Sequence, residues 1–412
     1  MLSVYLACCC FSVFFEIFLS SSSSAFAADW TFSPSISLRG EYDSNVRFSF
    51  RDDEDDFVTS LRSAFTFTGE TERTKLRLDP ALKFEKYFES SSLDDIHYDI
   101  NAVLTRMVTD RFSTELSSHL FKDSTLDTQL DEAGVRTQRA DRYGFNFGFG
   151  ENYALTERLS FSARESVRAF IYPDEEFPDM QSLQLEAGPG YQLTPRDTVR
   201  LSVTYATRDY DFASGEGGSA EISTLQEMIV WDRQLSETAS MSLGAGHRRT
   251  WSELSSPVLI FDPGDFTFRT VEEEMESTDD GVVFLALLKN EWSERFATTL
   301  FAGREQYSNV DATSFDRTYA GIEGSYRISE LAILASKLRY DHNEETGTGR
   351  QEIDYVVFTP SLEWKLTERS SLRFAGAYEH ENRTGLNFDG DADRFRTWIE
   401  FGYSWPAFGE DR

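Results

Sequence analysis

The chain has 412 residues, 40% of them hydrophobic and 14% aromatic, and a formal net charge of −31. That acidity argues against nucleic acid as a partner, since a binder must neutralise phosphates with Lys and Arg. A low apolar content with many aromatics argues against one thick interior, and the dense aromatic and β-branched content argues against disorder.

The first element is a candidate export signal over residues 1–27. MLSVYLACCCFSVFFEIFLSSSSSAFA is apolar, then serine-rich, and ends in Ala25-Phe26-Ala27, the small-x-small pattern that precedes a cleavage site. No Lys or Arg precedes its apolar core, and Glu16 interrupts it. Cys8, Cys9 and Cys10 are the only cysteines and all fall in this segment. The expected mature chain, one domain over 28–412, is therefore not a disulfide-stapled fold and holds no cysteine-based metal or redox site.

Beyond the leader no run of 18 apolar residues suggests a membrane helix. The pattern is instead period-two alternation, the signature of half-exposed strands. KLRLDPALKFEK sets Leu76, Leu78, Leu82 and Phe84 against Arg77, Asp79, Lys83 and Glu85. VRLSVTYAT sets Val199, Leu201, Val203 and Tyr205 against Arg200, Ser202, Thr204 and Ala206. RFRTWIEFGYSW sets Phe395, Ile399, Phe401, Tyr403 and Trp405 against Arg394, Arg396, Glu400 and Ser404. Charges this regular on strands this long require a wet second face.

Short polar turns punctuate the strands at 70–75, 108–112, 155–159, 193–199, 235–240, 292–296, 328–332 and 366–370. Several repeat one text, as in LTERL and LTERS. Longer, more acidic connections lie near 43–56, 87–95, 122–141, 172–180, 211–221, 252–279, 307–315, 341–353 and 381–393. Eight short and nine long connections alternate strictly, which predicts about eighteen strands, within a range of roughly 16–20 because boundaries slip by a few residues. An all-β chain crossing lipid must close on itself to pair every backbone polar group. The predicted fold is therefore a transmembrane antiparallel β-barrel with short periplasmic turns, long extracellular loops and both termini periplasmic.

Aromatics cluster where strands should meet headgroups. Phe112, Tyr153, Trp292, Phe296 and Trp364 flank short turns; Tyr172, Tyr210, Trp251, Tyr307, Tyr340 and Tyr378 lie near long loops, which suggests two girdles. Glu165 breaks the pattern, because it falls in phase with apolar Leu159, Phe161, Val167 and Ile171. A bulge that shifts the register, or a strand rising beyond the lipid, would account for it. At the carboxyl end Gly402 to Trp405 resembles the aromatic-ended closing strand of outer-membrane barrels, although Pro406 to Arg412 follow it.

The opening strand, WTFSPSISLRGEYDSNV, resembles that of a family of outer-membrane β-barrels found with exopolysaccharide-producing and PEP-CTERM sorting systems of Gram-negative bacteria. The matching residues are Trp30, Phe32, Pro34, Leu38, Tyr42, Asp43, Asn45 and Val46. The resemblance implies a surface-polysaccharide context and supplies no catalytic or binding residues.

The expected function is a pore or export channel for a solute or surface polysaccharide. Arg77, Lys83, Arg164, Arg168, Arg200, Arg327, Lys337, Arg339, Arg373, Arg394, Arg396 and Glu400 are the candidate lumen-lining residues. They would either guide an anionic solute or pair across strands and brace the wall. The alternative is a non-conducting structural or interaction protein acting through acidic loops such as 51–56, 174–176 and 272–280. Catalysis is not expected: the five histidines, His97, His119, His247, His342 and His380, lie in no recognisable nucleophile motif. No cofactor is implied. The expected partners are outer-membrane lipid and lipopolysaccharide, the barrel-assembly machinery, and exopolysaccharide or its export components.

Overall fold

A computed structural model of the chain describes residues 29–51, 53–125, 140–173, 177–212, 218–262, 267–309, 312–346, 351–385 and 389–409. The leader over 1–27, most of the 122–141 connection and the acidic 174–176 segment lie outside the described residues.

The strands are β1 (Asp29–Asp43), β2 (Asp56–Glu70), β3 (Thr74–Tyr87), β4 (Asp95–Thr109), β5 (Phe112–Ser124), β6 (Asp141–Ala154), β7 (Leu159–Ile171), β8 (Asp179–Thr194) and β9 (Asp197–Phe212). The second half of the chain adds β10 (Gly218–Gln234), β11 (Ala239–Asp262), β12 (Thr267–Ser293), β13 (Phe296–Ser308), β14 (Ser314–Arg327), β15 (Ala332–Glu345), β16 (Glu352–Lys365), β17 (Ser370–Thr384) and β18 (Gly390–Ser404). Every strand pairs antiparallel with its sequence neighbours. β1 also pairs with β18, from Ser35 opposite Ser404 to Asp43 opposite Arg396, so the sheet closes into a barrel. All eight short turns and eight of the nine long connections fall between strands where the punctuation predicted them; the exception is 252–279.

The repeated turn text has a local cause. In each short turn one hydroxyl, that of Thr71, Thr109, Thr156, Thr194, Ser236, Ser293, Ser329 or Thr367, accepts the N–H two residues on. Such side-chain-to-backbone bonds hold a tight reversal that the ladder cannot satisfy. The carbonyl of that same second residue then accepts an N–H from the next hairpin, as Arg158 does from Gln192 and Arg369 from Ser404. The eight turns are thereby laced into one continuous rim.

The pleat sorts side chains to two faces. One carries Leu82, Phe84, Leu201, Tyr205, Leu338, Phe395, Ile399 and Phe401, all exposed. An apolar belt left open to the surroundings suits lipid rather than water. The other face carries the charges. Trp398 is turned to that inner face, where the Arg39 guanidinium lies 4.1 Å from its ring centroid.

Three sequence expectations change. The 252–279 connection is not a loop: β11 and β12 pair along their full lengths, from Ala239 opposite Asn290 to Asp262 opposite Thr267. β10 leaves β11 at Ser255 and β13 leaves β12 at Phe284, so the far part is a two-stranded ribbon. Glu165 needs no bulge, because the register of β7 with both neighbours is unbroken around it, opposite Phe149 and Leu185. It stands on the apolar face. The tail beyond β18 continues along β1: the Trp405 N–H meets the Pro34 carbonyl, and Phe408 bonds Phe32 in both directions.

Candidate functional site: the barrel interior

The strand register places all the candidate lumen residues in the phase of the charged face. Most are paired. Arg77 meets Asp79 at 2.6 Å, Lys83 meets Glu85 at 2.6 Å and Arg200 meets Asp232 at 2.8 Å. Lys337 meets Glu323 at 3.1 Å, Arg339 meets Asp341 at 2.7 Å, and Arg164 meets Glu115 more loosely at 3.6 Å. Arg394 forms a two-pronged contact with Asp43 at the closure of the barrel, and Arg396 meets Glu379. Arg373 stands opposite Glu400, which in turn stands opposite Arg39. Arg327 sits at the short-turn rim, where its N–H meets the Arg295 carbonyl.

A cavity of about 790 Å³ brings four of these residues, Lys83, Arg168, Arg394 and Arg396, together with Arg39, Glu41, Asp43, Glu85, His97 and Asp99. Its wall mixes both signs of charge, and the acids lie on the strands next to the cations. The histidines join this pattern: His97 meets Glu85 at 2.8 Å and His119 meets Asp99 at 2.7 Å. His342 and His380 instead meet Asp354 and Asp393 at the opposite end of the strands from the short turns.

Sequence reading missed Arg142 and Arg248, both almost wholly buried. Arg142 lies between the rings of Phe121 and Phe170, 5.0 and 4.5 Å from their centroids, and holds both oxygens of Asp123. The local signal is Gly144, in phase with Arg142: any Cβ there would collide with the Phe121 ring. Gly281 serves Arg248 in the same way, since a Cβ would collide with its guanidinium.

Two long connections fold into the lumen. In the β1–β2 connection Phe48 is 0% exposed and packs on Tyr355, Val357 and Ala392 of the inner wall. Asn45 pins it by donating to the Ser49 carbonyl, Asp53 Oδ1 and the Asp393 carbonyl. In the β13–β14 connection Ala312 packs on the cluster that holds Phe170, Met180, Tyr210 and Ile222 from β7 to β10. The Tyr210 hydroxyl meets Ser308 there. Tyr172, Tyr210 and Tyr307, expected in an outer girdle, therefore face inward; Trp251, Tyr340 and Tyr378 face outward and are exposed.

The phase of the contacts confirms the inward path. Arg248 and Thr250 are inner-face residues of β11, yet they bond Asp316 and Gln306, which lie in the outward phase of β14 and β13. Such pairing requires the β13–β14 tip to pass inside the β11–β12 ribbon. It does so beyond Phe284 and Arg304, where β12 and β13 part.

A closed eighteen-stranded barrel with an apolar outer belt and a charged, hollow interior is a porin-like outer-membrane β-barrel. Residues 26–221 match a family profile described as "Putative beta-barrel porin 2". Among solved structures the chain is similar to the ferric-catecholate import receptor Fiu of E. coli K12 in its open form. There the identity is 8%, the match covers 90% of this chain and 81% of that one, and the TM-score is 0.51. OccAB3 of Acinetobacter baumannii (12% identity, 92% and 100% covered, TM-score 0.46) and OccK3 (OpdO) of Pseudomonas aeruginosa (13%, 91% and 96%, 0.45) are also similar. At these identities the likeness is one of fold. No curated protein matches the sequence.

Proposed function

We propose that the protein is a channel that passes a polar solute across the outer membrane, with its long connections outside the cell and both termini periplasmic. The observation that carries this reading is the cavity of about 790 Å³ walled by ionic side chains. A barrel serving only as an anchor has no need of charges facing a hollow interior, where each must be compensated. Eighteen strands leave room for a water-filled passage. The in-folded β1–β2 and β13–β14 connections narrow that passage at its outer end and favour a small solute over an extended chain. The resemblance of Trp30 to Val46 supports an envelope-glycan context, so a saccharide fragment is the solute class we favour. Residues 1–27 would deliver the chain to the barrel-assembly machinery, and the belt would contact lipid and lipopolysaccharide.

Planar-bilayer recording of the purified, refolded barrel tests this. Stable ohmic steps are the expected result. A silent barrel of intact fold would instead establish the second reading, a non-conducting envelope protein, which the packing of both connections across the lumen favours.

A further inference from the structure

We propose that the outer face of β10 to β12 is where two copies of this barrel meet in the membrane, with Glu227 of each copy against the partner's His247. Glu227 stands directly opposite His247 across the β10–β11 ladder, and Arg249 stands opposite Asp280 across β11–β12. The pleat turns all four outward. Glu227 is in phase with exposed Ile229, His247 and Arg249 with exposed Leu243 and Trp251, and Asp280 with exposed Val282 and Phe284. The other neighbour of Glu227 is Val203 of β9, in the middle of the apolar run from Val199 to Tyr205. The acid therefore stands on the lipid side of the wall, at the level of the apolar belt.

A charge on the lipid face of a barrel is destabilising, most of all near mid-membrane, and ionisable groups kept within a membrane mark a site with a partner. Arg249 and Asp280 compensate one another at 2.8 Å, and His247 lies 3.5 Å from the same Asp280. Glu227 has no such relief: among the described residues it forms no ion pair and no hydrogen bond. It lies midway along β10, separated from the connection at 213–217 by Leu225, Ser223 and Glu221 on the same face. An acid and a base side by side make this face complementary to itself. A two-fold axis along the membrane normal, passing between β10 and β11, sets β10 of one barrel against β11 of the other at nearly the same depth. Each Glu227 then gains a base and leaves lipid, while Ile229, Leu243 and Ala245 pack around the axis. A second observation lies on the same side of the wall. β12 loses β13 beyond Phe284, so its upper part runs with one edge lacking a backbone partner. An open sheet edge is not tolerated against lipid, and a second barrel here excludes lipid from it. The proposal concerns association and stands whether or not the barrel conducts.

The test is the oligomeric state of the refolded full-length barrel in lipid vesicles, read by single-molecule photobleaching, beside oxidative crosslinking in a Cys8→Ser/Cys9→Ser/Cys10→Ser background. Two subunits per particle are expected. Ala245→Cys, beside the axis, should crosslink to its own copy, whereas Leu338→Cys on β15 should not. Glu227→Lys should raise the dimer dissociation constant about a hundredfold, since two charge-assisted contacts are lost at roughly tenfold each. The exchange variant Glu227→His/His247→Glu should restore dimers, which a merely structural role would not do. Heat-modifiable gel migration checks that each variant is folded, and the cysteine pair keeps the test decisive where Glu227→Lys fails to fold. A monomeric wild type would overturn the interface. So would dimers unchanged by Glu227→Lys, or crosslinking at Leu338→Cys in place of Ala245→Cys. Crosslinking of Ala245→Cys in native outer membranes to a different protein alone would give the face to another chain and overturn self-association.

Discussion

The Arg248 guanidinium on the inner face of β11 donates to the Asp316 carboxylate at 2.5 Å, although Asp316 lies in the outward phase of β14. It also holds Asp279 at 2.8 Å, while Arg304 holds Asp316 at 2.9 Å from the other side. Four residues from four successive strands thus close the place where backbone pairing between β12 and β13 stops. The contact is what keeps the β13–β14 tip inside the barrel.

Removing one partner of a buried ion pair leaves the others uncompensated, at a cost of about 3–5 kcal/mol. Arg248 is 1% exposed. Arg248→Gln is therefore expected to lower barrel stability by about 3 kcal/mol, read by urea unfolding in lipid. Tip release should make residues near Ser308 newly sensitive to added protease. A variant as stable and as resistant as the wild type would remove the latch role.

Asn45 is the corresponding pin of the β1–β2 connection. Its amide donates to three acceptors, two of them backbone carbonyls. Asn45→Ala should cost about 1–3 kcal/mol by leaving buried acceptors unmet. Limited proteolysis should then cut within 44–55; unchanged protection would contradict the pin.

At the closure of the sheet, Arg394 and Asp43 are both buried and join the last strand to the first. Arg394→Gln should act on folding rather than on selectivity, with a stability loss of about 3 kcal/mol and little change in reversal potential. A large selectivity change at unaltered stability would mark Arg394 as a free solute-facing charge instead.

Leu338 is exposed at mid-strand on the outer face of β15, next to inward Lys337, which pairs with Glu323. Leu338→Arg should cost about 2–4 kcal/mol in lipid, the penalty for a cation near the midplane of a barrel wall. Lys337→Leu, on the wet face, should change stability by less. Reversal of that order in bilayer refolding assays would mean that the two faces have been assigned the wrong way round. By the same reasoning Glu165→Leu should stabilise the lipid-embedded barrel.

Strand number and topology were legible because side-chain alternation and turn chemistry are local. A Thr or Ser hydroxyl two residues before the N–H it accepts, that of an Arg in six of the eight, is written into the text of each turn, and Leu82–Lys83 or Phe395–Arg396 reports its own face. What local pattern cannot report is a strand pair leaving the wall. β13 and β14 keep their alternation through Gln306 and Asp316, so nothing in the sequence marks the tip as inward. The acidic run at 272–280 looked like a loop, yet backbone pairing with β11 carries it as a ribbon. The buried Arg142 and Arg248 depend on Gly144, whose missing Cβ makes room for the Phe121 ring of the next strand, and on Gly281, opposite Arg248 on β12, relations visible only once the register is known. In the opening motif, Asp43, Asn45 and Val46 were legible as a resemblance; their burial against Arg394 and the inner wall shows the physical work they do.

The proposed channel is a hollow barrel whose lumen is narrowed by two pinned connections. Single-channel recording of the wild type beside the double variant Arg248→Gln/Asn45→Ala tests it most directly. Small ohmic steps are expected for the wild type and clearly larger ones for the variant. Equal conductance in both, or silence in both with the barrel folded, would contradict it.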